Sequence, residues 1–114
     1  MKKVEAVIRE AALHKVSKAL MEAGFKPLTV YHVLGRGAEG GIVYQWSEGK
    51  FHYELLPKVK IELVVDDNDV EKVIDIIINN CREGIPGDGK IFVLPIEDVI
   101  RIRTGERGKE AIGA

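Results

Sequence analysis

The chain contains an internal repeat, and this limits the folds open to it more than any other feature of the sequence. Residues 3–5 (KVE) match residues 60–62 (KIE). Positions at helical spacing follow at the same offset, with Leu13, Lys15, Val16 and Leu20 matched by Val70, Lys72, Val73 and Ile77. Each copy reads as a strand, a helix and a second strand. Two such units predict an α+β protein with the ferredoxin-like split βαβ fold (βαββαβ), an antiparallel sheet with two helices on one face.

Hydrophobic periodicity predicts the individual elements. Alternating apolar and polar residues predict strands, and apolar residues three or four apart predict helices. The predicted elements are strands at residues 3–9, 27–34, 59–65, 91–94 and 99–103, with helices at 13–23 and 70–81. Gly24 is a natural stop for the first helix, and residues 66–69 offer N-caps for the second. The polar tail, residues 104–114, is expected to be mobile.

A long segment between two predicted strands, residues 35–58, is rich in glycine and has no helix signal. Loops of this length in a small domain are usually functional or disordered. The segment carries the only tryptophan, and its aromatic residues are Tyr44, Trp46, Phe51 and Tyr53. Exposed aromatic side chains are typical anchors for a protein partner. We therefore expect residues 36–54 to form a structureless loop that binds a partner through these four side chains.

Composition and charge exclude several classes of protein. The 114 residues, 46% of them hydrophobic, predict one domain spanning 1–114 with a modest core. The formal net charge of -1 argues against a nucleic-acid binder, which is usually basic. Cys81 is the single cysteine, so neither an internal disulfide nor a cysteine-based zinc site is possible. Neither a signal peptide nor a membrane-spanning apolar run is evident, so we expect a cytoplasmic protein without direct membrane insertion.

Three segments carry modest signals for binding an anion. Residues 84–90 (GIPGDGK) are rich in glycine and end in Lys90, so backbone N–H groups and an ammonium could hold phosphate oxygens. This segment lacks the spacing of a P-loop, and such sequences are often only turns. Arg101 and Arg103 alternate along the last predicted strand and would point to one side, where guanidinium groups suit phosphates. Residues 35–37 (GRG) form a further glycine-rich corner.

Signals for catalysis and for metal binding are weak. Ser17 and Ser47 have no patterned base nearby. Cys81 falls on the apolar face of a predicted helix, where a core role is expected. The three histidines share no metal-ligand spacing. We therefore predict that the protein is not an enzyme, with no catalytic residue and no metal site formed by the chain alone.

The sheet face that the helices leave open is predicted to mix charged and apolar residues. Its members include Lys3, Glu5, Val7, Arg9, Lys60, Glu62 and Val64. Such a face can be solvated, or it can be a subunit interface at which opposite charges pair. The sequence leaves both readings open.

Several segments together resemble the signature of the P-II nitrogen regulatory signal transducers. They are residues 58–62 (KVKIE), 87–93 (GDGKIFV) and 101–106 (RIRTGE), and residues 1–9 (MKKVEAVIR) are similar as well. The resemblance extends from Met1 to about Ile112. It implies a homotrimer of ferredoxin-like subunits with ATP or ADP in each cleft between subunits, and Mg²⁺ with ATP. It also implies sensing of 2-oxoglutarate and regulation of nitrogen-metabolism enzymes, regulators or transporters through the long loop, called the T-loop.

The resemblance also assigns roles to individual residues. The residues matched to the nucleotide-phosphate loop are Gly87, Asp88, Gly89 and Lys90. The arginines that reach the phosphates from the neighbouring subunit are matched by Arg101 and Arg103. The positions around adenine and ribose are matched by Thr29, Glu62 and Val64. The base of the T-loop is matched by Gly35 and Gly37, and the lysine that pairs with a 2-oxoglutarate carboxylate is matched by Lys58. The resemblance thus implies that the three segments with anion-binding signals bind one polyphosphate between subunits.

The T-loop sequence departs from the family pattern. Glu39 stands where the family has a glutamine that helps to hold Mg²⁺ and 2-oxoglutarate. A carboxylate can ligate Mg²⁺ but repels a dicarboxylate. Phe51 and Gly49 stand at the positions of a uridylylated tyrosine and a phosphorylated serine, and Ser47 stands at that of a channel-plugging arginine. The alternative to a 2-oxoglutarate sensor is therefore an energy-state sensor of ATP, ADP and AMP with a repurposed T-loop.

Other functions are known on the same fold. A metal-binding trimer like the divalent-cation tolerance proteins would need ligand spacing that this sequence lacks. An enzyme like acylphosphatase would need an arginine–asparagine arrangement that is not evident. An RNA-binding module of the RRM type would carry stacking aromatic residues on the first and third strands, which are absent here. The fold alone does not separate these functions, so the choice among them rests on the motifs.

Overall fold

The computed structural model describes residues 1–37, 42–46, 49–53 and 55–113, and for 42–46 and 49–53 it describes the backbone. The strands are β1 (Lys2–Ile8), β2 (Thr29–Gly35), β3 (Ile42–Trp46), β4 (Gly49–Tyr53), β5 (Leu56–Val65) and β6 (Lys90–Pro95), and the helices are α1 (Leu13–Glu22) and α2 (Val70–Cys81). Short 3-10 helices cover Glu10–Ala12, Asp67–Asp69 and Gly108–Ala111. Within these ranges, neither α-helix has the length and apolarity needed to cross a membrane.

Four strands form one antiparallel sheet in the order β2-β5-β1-β6. The central strand β1 pairs with β5 and β6, so that Glu5 lies opposite Glu62 on one side and Phe92 on the other. Each strand–helix–strand half supplies one central strand and one edge strand. Because both helices pack on the same face, this is the ferredoxin-like split βαβ fold, as the sequence repeat predicted.

The core lies between the sheet and the two helices. From Val4 and Val59 onward, every second residue of the central strands is buried, namely Val4, Ala6 and Ile8 of β1 and Val59, Ile61, Leu63 and Val65 of β5. The helices bury residues three or four apart, namely Val16 and Leu20 of α1 and Val73, Ile77 and Cys81 of α2. Both periodicities seen in the sequence are thus confirmed. Cys81 has its predicted core position, where burial raises the pKa of its thiol.

The end of α1 shows how the sequence stops a helix. Gly24 follows the helix with a φ of 97°, in the left-handed region that favours glycine. Its N–H donates to the Met21 carbonyl at 3.0 Å, and the N–H of Phe25 donates to the Leu20 carbonyl at 2.9 Å. This pair of bonds is the Schellman motif, which satisfies carbonyl groups at the helix end. The predicted stop at Gly24 is therefore confirmed, and Phe25 packs against the core.

The segment between β2 and β5 is not structureless, which corrects the prediction from sequence. β3 and β4 form an antiparallel pair in which Ile42 lies opposite Tyr53 and Trp46 lies opposite Gly49. Isoleucine, valine, tyrosine and tryptophan all favour strands. Glycine disfavours strands, so the glycines near these residues lower the strand signal of the segment although its other residues favour a hairpin.

The predicted terminal strand at residues 99–103 is wrong. Apart from an isolated bridge between Ile100 and Arg107, this segment turns back on itself. The N–H of Gly105 donates to the Arg101 carbonyl at 2.7 Å. Gly105 has a φ of 73°, which reverses the chain. Alternating arginine and isoleucine suit a strand, but the local turn takes up the backbone groups that a strand would use.

The open sheet face carries a network of four alternating charges. Lys3 Nζ lies 3.1 Å from a Glu5 carboxylate oxygen and 3.5 Å from one of Glu62, and Lys60 Nζ lies 3.5 Å and 4.0 Å from the same two groups. Hydrogen bonds with Glu62 and with Lys3 lower the pKa of Glu5, and the hydrogen bond to Glu5 raises the pKa of Lys3. Opposite charges on this face are thus paired within the chain itself.

Candidate functional site

A pocket of about 610 Å³ opens where β2 and β5 meet the loop between α2 and β6. Its lining includes residues predicted to bind the nucleotide or its effector, namely Gly35, Gly37, Lys58, Gly87, Asp88, Gly89 and Lys90. They come from three stretches that are far apart in the sequence. The fold therefore brings the glycine-rich corner, the lysine of β5 and the GDGK loop to one place.

The register of the sheet explains why lysines converge on this pocket. Lys60 of β5 lies opposite Val7 of β1, and Val7 lies opposite Lys90 of β6. Paired residues of adjacent antiparallel strands project to the same face. The side chains of Lys60, Val7 and Lys90 therefore form one row across the open face, and all three line the pocket.

The lining combines positive charge with apolar surface. The basic residues are Arg36, Lys58, Lys60 and Lys90, and the apolar side chains are Val7, Val33, Leu34, Ile85, Pro86 and Phe92. Asp88 is the one carboxylate among the described lining residues. A pocket of this kind suits a ligand with several negative charges and an apolar, flat part.

The glycines of the loop before β6 are required by its geometry. Gly87 and Gly89 have φ values of 100° and 106°. A Cβ atom on Gly89 would collide with the carbonyl oxygen of Val7, so the loop packs directly on the backbone of β1. Lys58 Nζ lies 3.5 Å from the Gly87 carbonyl oxygen, to which it donates. The two glycines thus let the loop backbone lie directly against β1 at the edge of the pocket.

Asp88 lies in the loop, but its carboxylate binds the loop's own backbone. Oδ2 accepts the N–H groups of Glu83 and Gly84 at 2.9 and 2.8 Å, and Oδ1 accepts from Arg9 Nη1 at 2.8 Å. These contacts, that from the Glu83 N–H first, hold the pKa of the Asp88 carboxyl below its ordinary range. The carboxylate is therefore ionised at neutral pH and holds the loop together.

Comparison with known proteins agrees with the motifs in the sequence. The sequence model of the family described as "Nitrogen regulatory protein P-II" matches residues 1–106. The P-II protein of Nostoc punctiforme is 49% identical over 112 residues, which cover 98% of this chain and 100% of the relative. "Nitrogen regulatory protein P-II 2" of Methanothermobacter thermautotrophicus is 45% identical over 112 residues, covering 98% and 97%. A crystal structure of Arabidopsis thaliana PII bound to citrate has a TM-score of 0.81 and 42% identity, covering 99% of this chain and 90% of that chain.

The chain belongs to the P-II nitrogen regulatory protein family. The resemblance inferred from residues 58–62, 87–93 and 101–106 is thereby confirmed. P-II proteins are regulators, as the family description says, so this chain is not an enzyme, as the sequence predicted.

In this P-II chain, the residues predicted to surround adenine and ribose lie apart from the pocket. Thr29 at the start of β2 lies opposite Glu62 of β5, and Val64 is two residues further along. None of the three is in the pocket lining. Glu62 is instead engaged with Lys3 and Lys60 in the network on the open face. A single chain therefore does not bring these residues to the pocket.

Arg101 and Arg103, predicted to reach the phosphates, also lie outside the pocket lining. Arg101 Nη1 donates to Glu106 Oε1 at 2.8 Å, and Nη2 donates to the carbonyl oxygens of Glu110 and Gly113 at 3.0 Å each. Arg101 therefore anchors the C-terminal tail, which was expected to be mobile, along a defined path. Arg103 is exposed.

The predicted partner-binding residues of the P-II T-loop lie on the β3–β4 hairpin. Tyr44 and Trp46 belong to β3, and Phe51 and Tyr53 belong to β4. Their side chains lie outside the part of the chain that the structure describes, as does the whole of Glu39. The partner-binding and effector-binding roles of these residues therefore stay predictions.

One residue that sequence reasoning missed is Arg9. Strand alternation predicts that Arg9 lies on the open face and suggests no role for it, whereas its guanidinium contacts the pocket loop at Asp88 and the carbonyl oxygen of Cys81. No local pattern marks this pair, because the two residues are at opposite ends of the chain. Over the described ranges, no group of three histidine, cysteine or acidic side chains is placed to hold a metal ion.

Proposed function

We propose that this P-II protein binds ATP or ADP in the pocket between the T-loop base and the loop before β6. The observation that carries the proposal is the convergence of two predicted anion-binding segments, residues 35–37 and 84–90, with Lys58 and Lys60 on one cationic pocket. Phosphate oxygens would accept hydrogen bonds from backbone N–H groups at residues 87–89 and from Lys90. The apolar lining, including Val7 and Phe92, would cover part of the adenine.

We further propose that the protein is a homotrimer in which the neighbouring chain completes each site. One chain leaves five predicted nucleotide residues outside the pocket, namely Thr29, Glu62, Val64, Arg101 and Arg103. A closed ring of three would set each pocket against this surface of the next chain. Such a ring would also cover exposed apolar side chains of the open face, where Phe92 is 49% and Leu94 is 37% exposed.

Magnesium would enter the site with ATP, held mainly by phosphate oxygens. Asp88 is already engaged with Arg9, so it is a poor candidate for a metal ligand. Glu39, which lies outside the described residues, could supply a carboxylate. The negative charge of Glu39 would also repel the dicarboxylate 2-oxoglutarate. A sensor that responds to adenine nucleotides alone is therefore the second candidate function. The Arabidopsis relative was solved with citrate, which makes carboxylate anions a necessary part of the test.

The proposed mechanism is a shift in the population of T-loop conformations. Gly37 and Lys58 line the pocket and flank the T-loop, so a bound ligand would contact both ends of the loop. Each ligand would favour the conformation that it binds more tightly, and each conformation would suit a different nitrogen-metabolism protein in the cytoplasm. Trp46 is the proposed anchor on the partner, and Trp46→Ala is expected to weaken partner binding in a pull-down.

Isothermal titration calorimetry tests the ligand directly. ATP, ADP and AMP are titrated with and without Mg²⁺, and with 2-oxoglutarate or citrate present. Lys90→Ala is expected to weaken ATP binding by about tenfold, the loss of one charged hydrogen bond. Lys18→Ala, which removes an exposed lysine of α1, is the matched control and is expected to bind ATP as the wild type does.

The outcomes separate the candidate functions. ATP binding that 2-oxoglutarate strengthens supports the sensor logic of the family. ATP and ADP binding without any effect of 2-oxoglutarate or citrate supports the energy-state sensor. A wild-type protein that binds no nucleotide overturns the proposed site.

A further inference from the structure

Arg9 directly follows β1 and joins three parts of the chain. Its Nη1 lies 2.8 Å from Asp88 Oδ1 and 3.2 Å from a Glu83 carboxylate oxygen, and its Nη2 donates to the carbonyl oxygen of Cys81 at 2.9 Å. Cys81 is the last residue of α2. The guanidinium therefore links β1, the C-terminus of α2 and the loop before β6. A planar group with several donors is suited to serve all of these acceptors at once.

Asp88 transmits this restraint into the loop. While Oδ1 accepts from Arg9, Oδ2 accepts the backbone N–H groups of Glu83 and Gly84. The residues on either side of Asp88 are Gly87 and Gly89, which line the pocket with it. A displacement of Asp88 would therefore displace the backbone that faces the ligand.

The other end of the loop is also fixed to β1. Gly89 packs against the carbonyl oxygen of Val7, and Lys90 pairs with Val7 in the sheet. The end of the loop is thus held by backbone packing on β1, and its start is held by Asp88, which accepts from Glu83 and Gly84 and is bound to Arg9. Arg9 itself is not among the residues that line the pocket.

We infer that Arg9 is a positioning residue for phosphate binding, which holds the loop N–H groups in place through Asp88 without touching the ligand. The inference rests on the proposed nucleotide binding. Donors that are arranged before binding need no ordering when the ligand arrives. Their loss therefore lowers affinity most for ligands whose phosphates depend on the loop.

Calorimetry with ATP and AMP tests this role in the full-length protein. Arg9→Gln is expected to weaken ATP binding on the order of tenfold, and AMP binding by a smaller factor because AMP lacks two of the three phosphates. Arg9→Lys keeps the charge but not the planar fork, so its affinity for ATP should lie between those of the wild type and Arg9→Gln. In an Asp88→Asn background, Arg9→Gln should add little further loss, because the pair acts as a unit. Arg82→Gln removes the neighbouring exposed arginine and is the matched control.

Hydrogen exchange without nucleotide tests the contact independently of binding. The amide groups of Glu83 and Gly84 are expected to exchange faster in Arg9→Gln, on the order of tenfold, and at the wild-type rate in Arg82→Gln. If the wild type binds ATP and Arg9→Gln binds it equally well, Arg9 has no positioning role. The same conclusion follows if Arg9→Gln lowers the affinities for ATP and AMP by the same factor. Should the wild type bind no nucleotide, the proposed function fails and takes this inference with it.

Discussion

At the scale of single residues, the loop before β6 depends on the identity of two adjacent residues, Asp88 and Gly89. Gly89 combines a φ of 106° with direct packing on the Val7 carbonyl oxygen. Asp88 supplies the carboxylate that gathers two loop N–H groups and the Arg9 guanidinium. Gly89 is required because it has no side chain, and Asp88 is required because of its carboxylate.

Gly89→Ala is expected to destabilise the protein more than Gly24→Ala. Both residues have positive φ, so both substitutions incur the strain of an ordinary residue there, about 1–3 kcal/mol. A Cβ on Gly24 meets nothing within 4 Å, whereas one on Gly89 meets the Val7 carbonyl oxygen. Urea unfolding of both variants, at one protein concentration, measures the difference. Equal free energies of unfolding would contradict the collision.

The contribution of Asp88 to stability is expected to depend on pH. The pKa of this carboxyl is lowered in the folded protein, so the folded state favours the ionised form. Its contribution is therefore fully present above the unfolded pKa of about 3.9 and is lost as pH falls through the lower, folded value. The urea midpoint of Asp88→Asn should lie below that of the wild type at pH 7, and the gap should narrow towards pH 3. Asp75→Asn, an exposed change on α2, is the control. A gap that stays constant over this range would show that ionisation of Asp88 does not matter.

At the scale of elements, the two helices and the central strands follow local patterns, while the C-terminal segment does not. The 3-10 helix at Gly108–Ala111 is too short to hold itself in place, and its buried residue is Ala111. The Arg101 side chain supplies the missing contacts by donating to Glu106 and to the carbonyl oxygens of Glu110 and Gly113. An ion pair between Lys109 and Asp66, at 3.1 Å, adds a contact to the rest of the fold.

Arg101→Ala is expected to loosen the tail, whereas Arg103→Ala is not. The first change removes three acceptor contacts, and the second removes an exposed side chain two residues away. Hydrogen exchange at residues 108–113 should rise in Arg101→Ala and stay at the wild-type rate in Arg103→Ala. Equal protection in both variants would mean that other contacts hold the tail.

At the scale of the whole molecule, one chain holds only part of the predicted site. The pocket has the loop, the lysines and the T-loop base, while Thr29, Glu62 and the two arginines of the C-terminal segment lie elsewhere. The open face balances its central charges internally and still exposes apolar side chains around them. These features together are the reason for proposing a trimer.

Leu94→Asp is therefore expected to break the proposed trimer. Leu94 lies opposite Lys3 on the open face, so a carboxylate there would have to be buried between subunits. Sedimentation analysis should show the wild type at about three times the chain mass and the variant at a lower mass. Met21→Asp, on an exposed position of α1, should keep the wild-type mass. A Leu94→Asp protein that stays trimeric would place the interface elsewhere.

The sequence by itself determined the elements whose signals are local. Alternation marked β1 and β5, helical spacing marked α1 and α2, Gly24 marked a helix end, and the repeat predicted their topology. Such local signals predict an element correctly because the residues of one element share one burial pattern and one backbone geometry. The glycine motifs and the P-II signature also predicted site roles for seven residues that line the pocket, namely Gly35, Gly37, Lys58, Gly87, Asp88, Gly89 and Lys90.

Only the tertiary structure decided which of those residues meet. Lys60 and Lys90 lie in one row because each pairs with Val7, and that register joins strands far apart in the sequence. The contact of Arg9 with Asp88 has the same origin, since the two residues meet only when β1 lies beside β6. Arg101 lies in a turn and binds the tail, where local hydrogen bonds replace those that pairing with a strand would give. Strand propensity does not account for such competing hydrogen bonds. Long-range register and competition for hydrogen bonds are properties of the folded chain, and no local pattern encodes them.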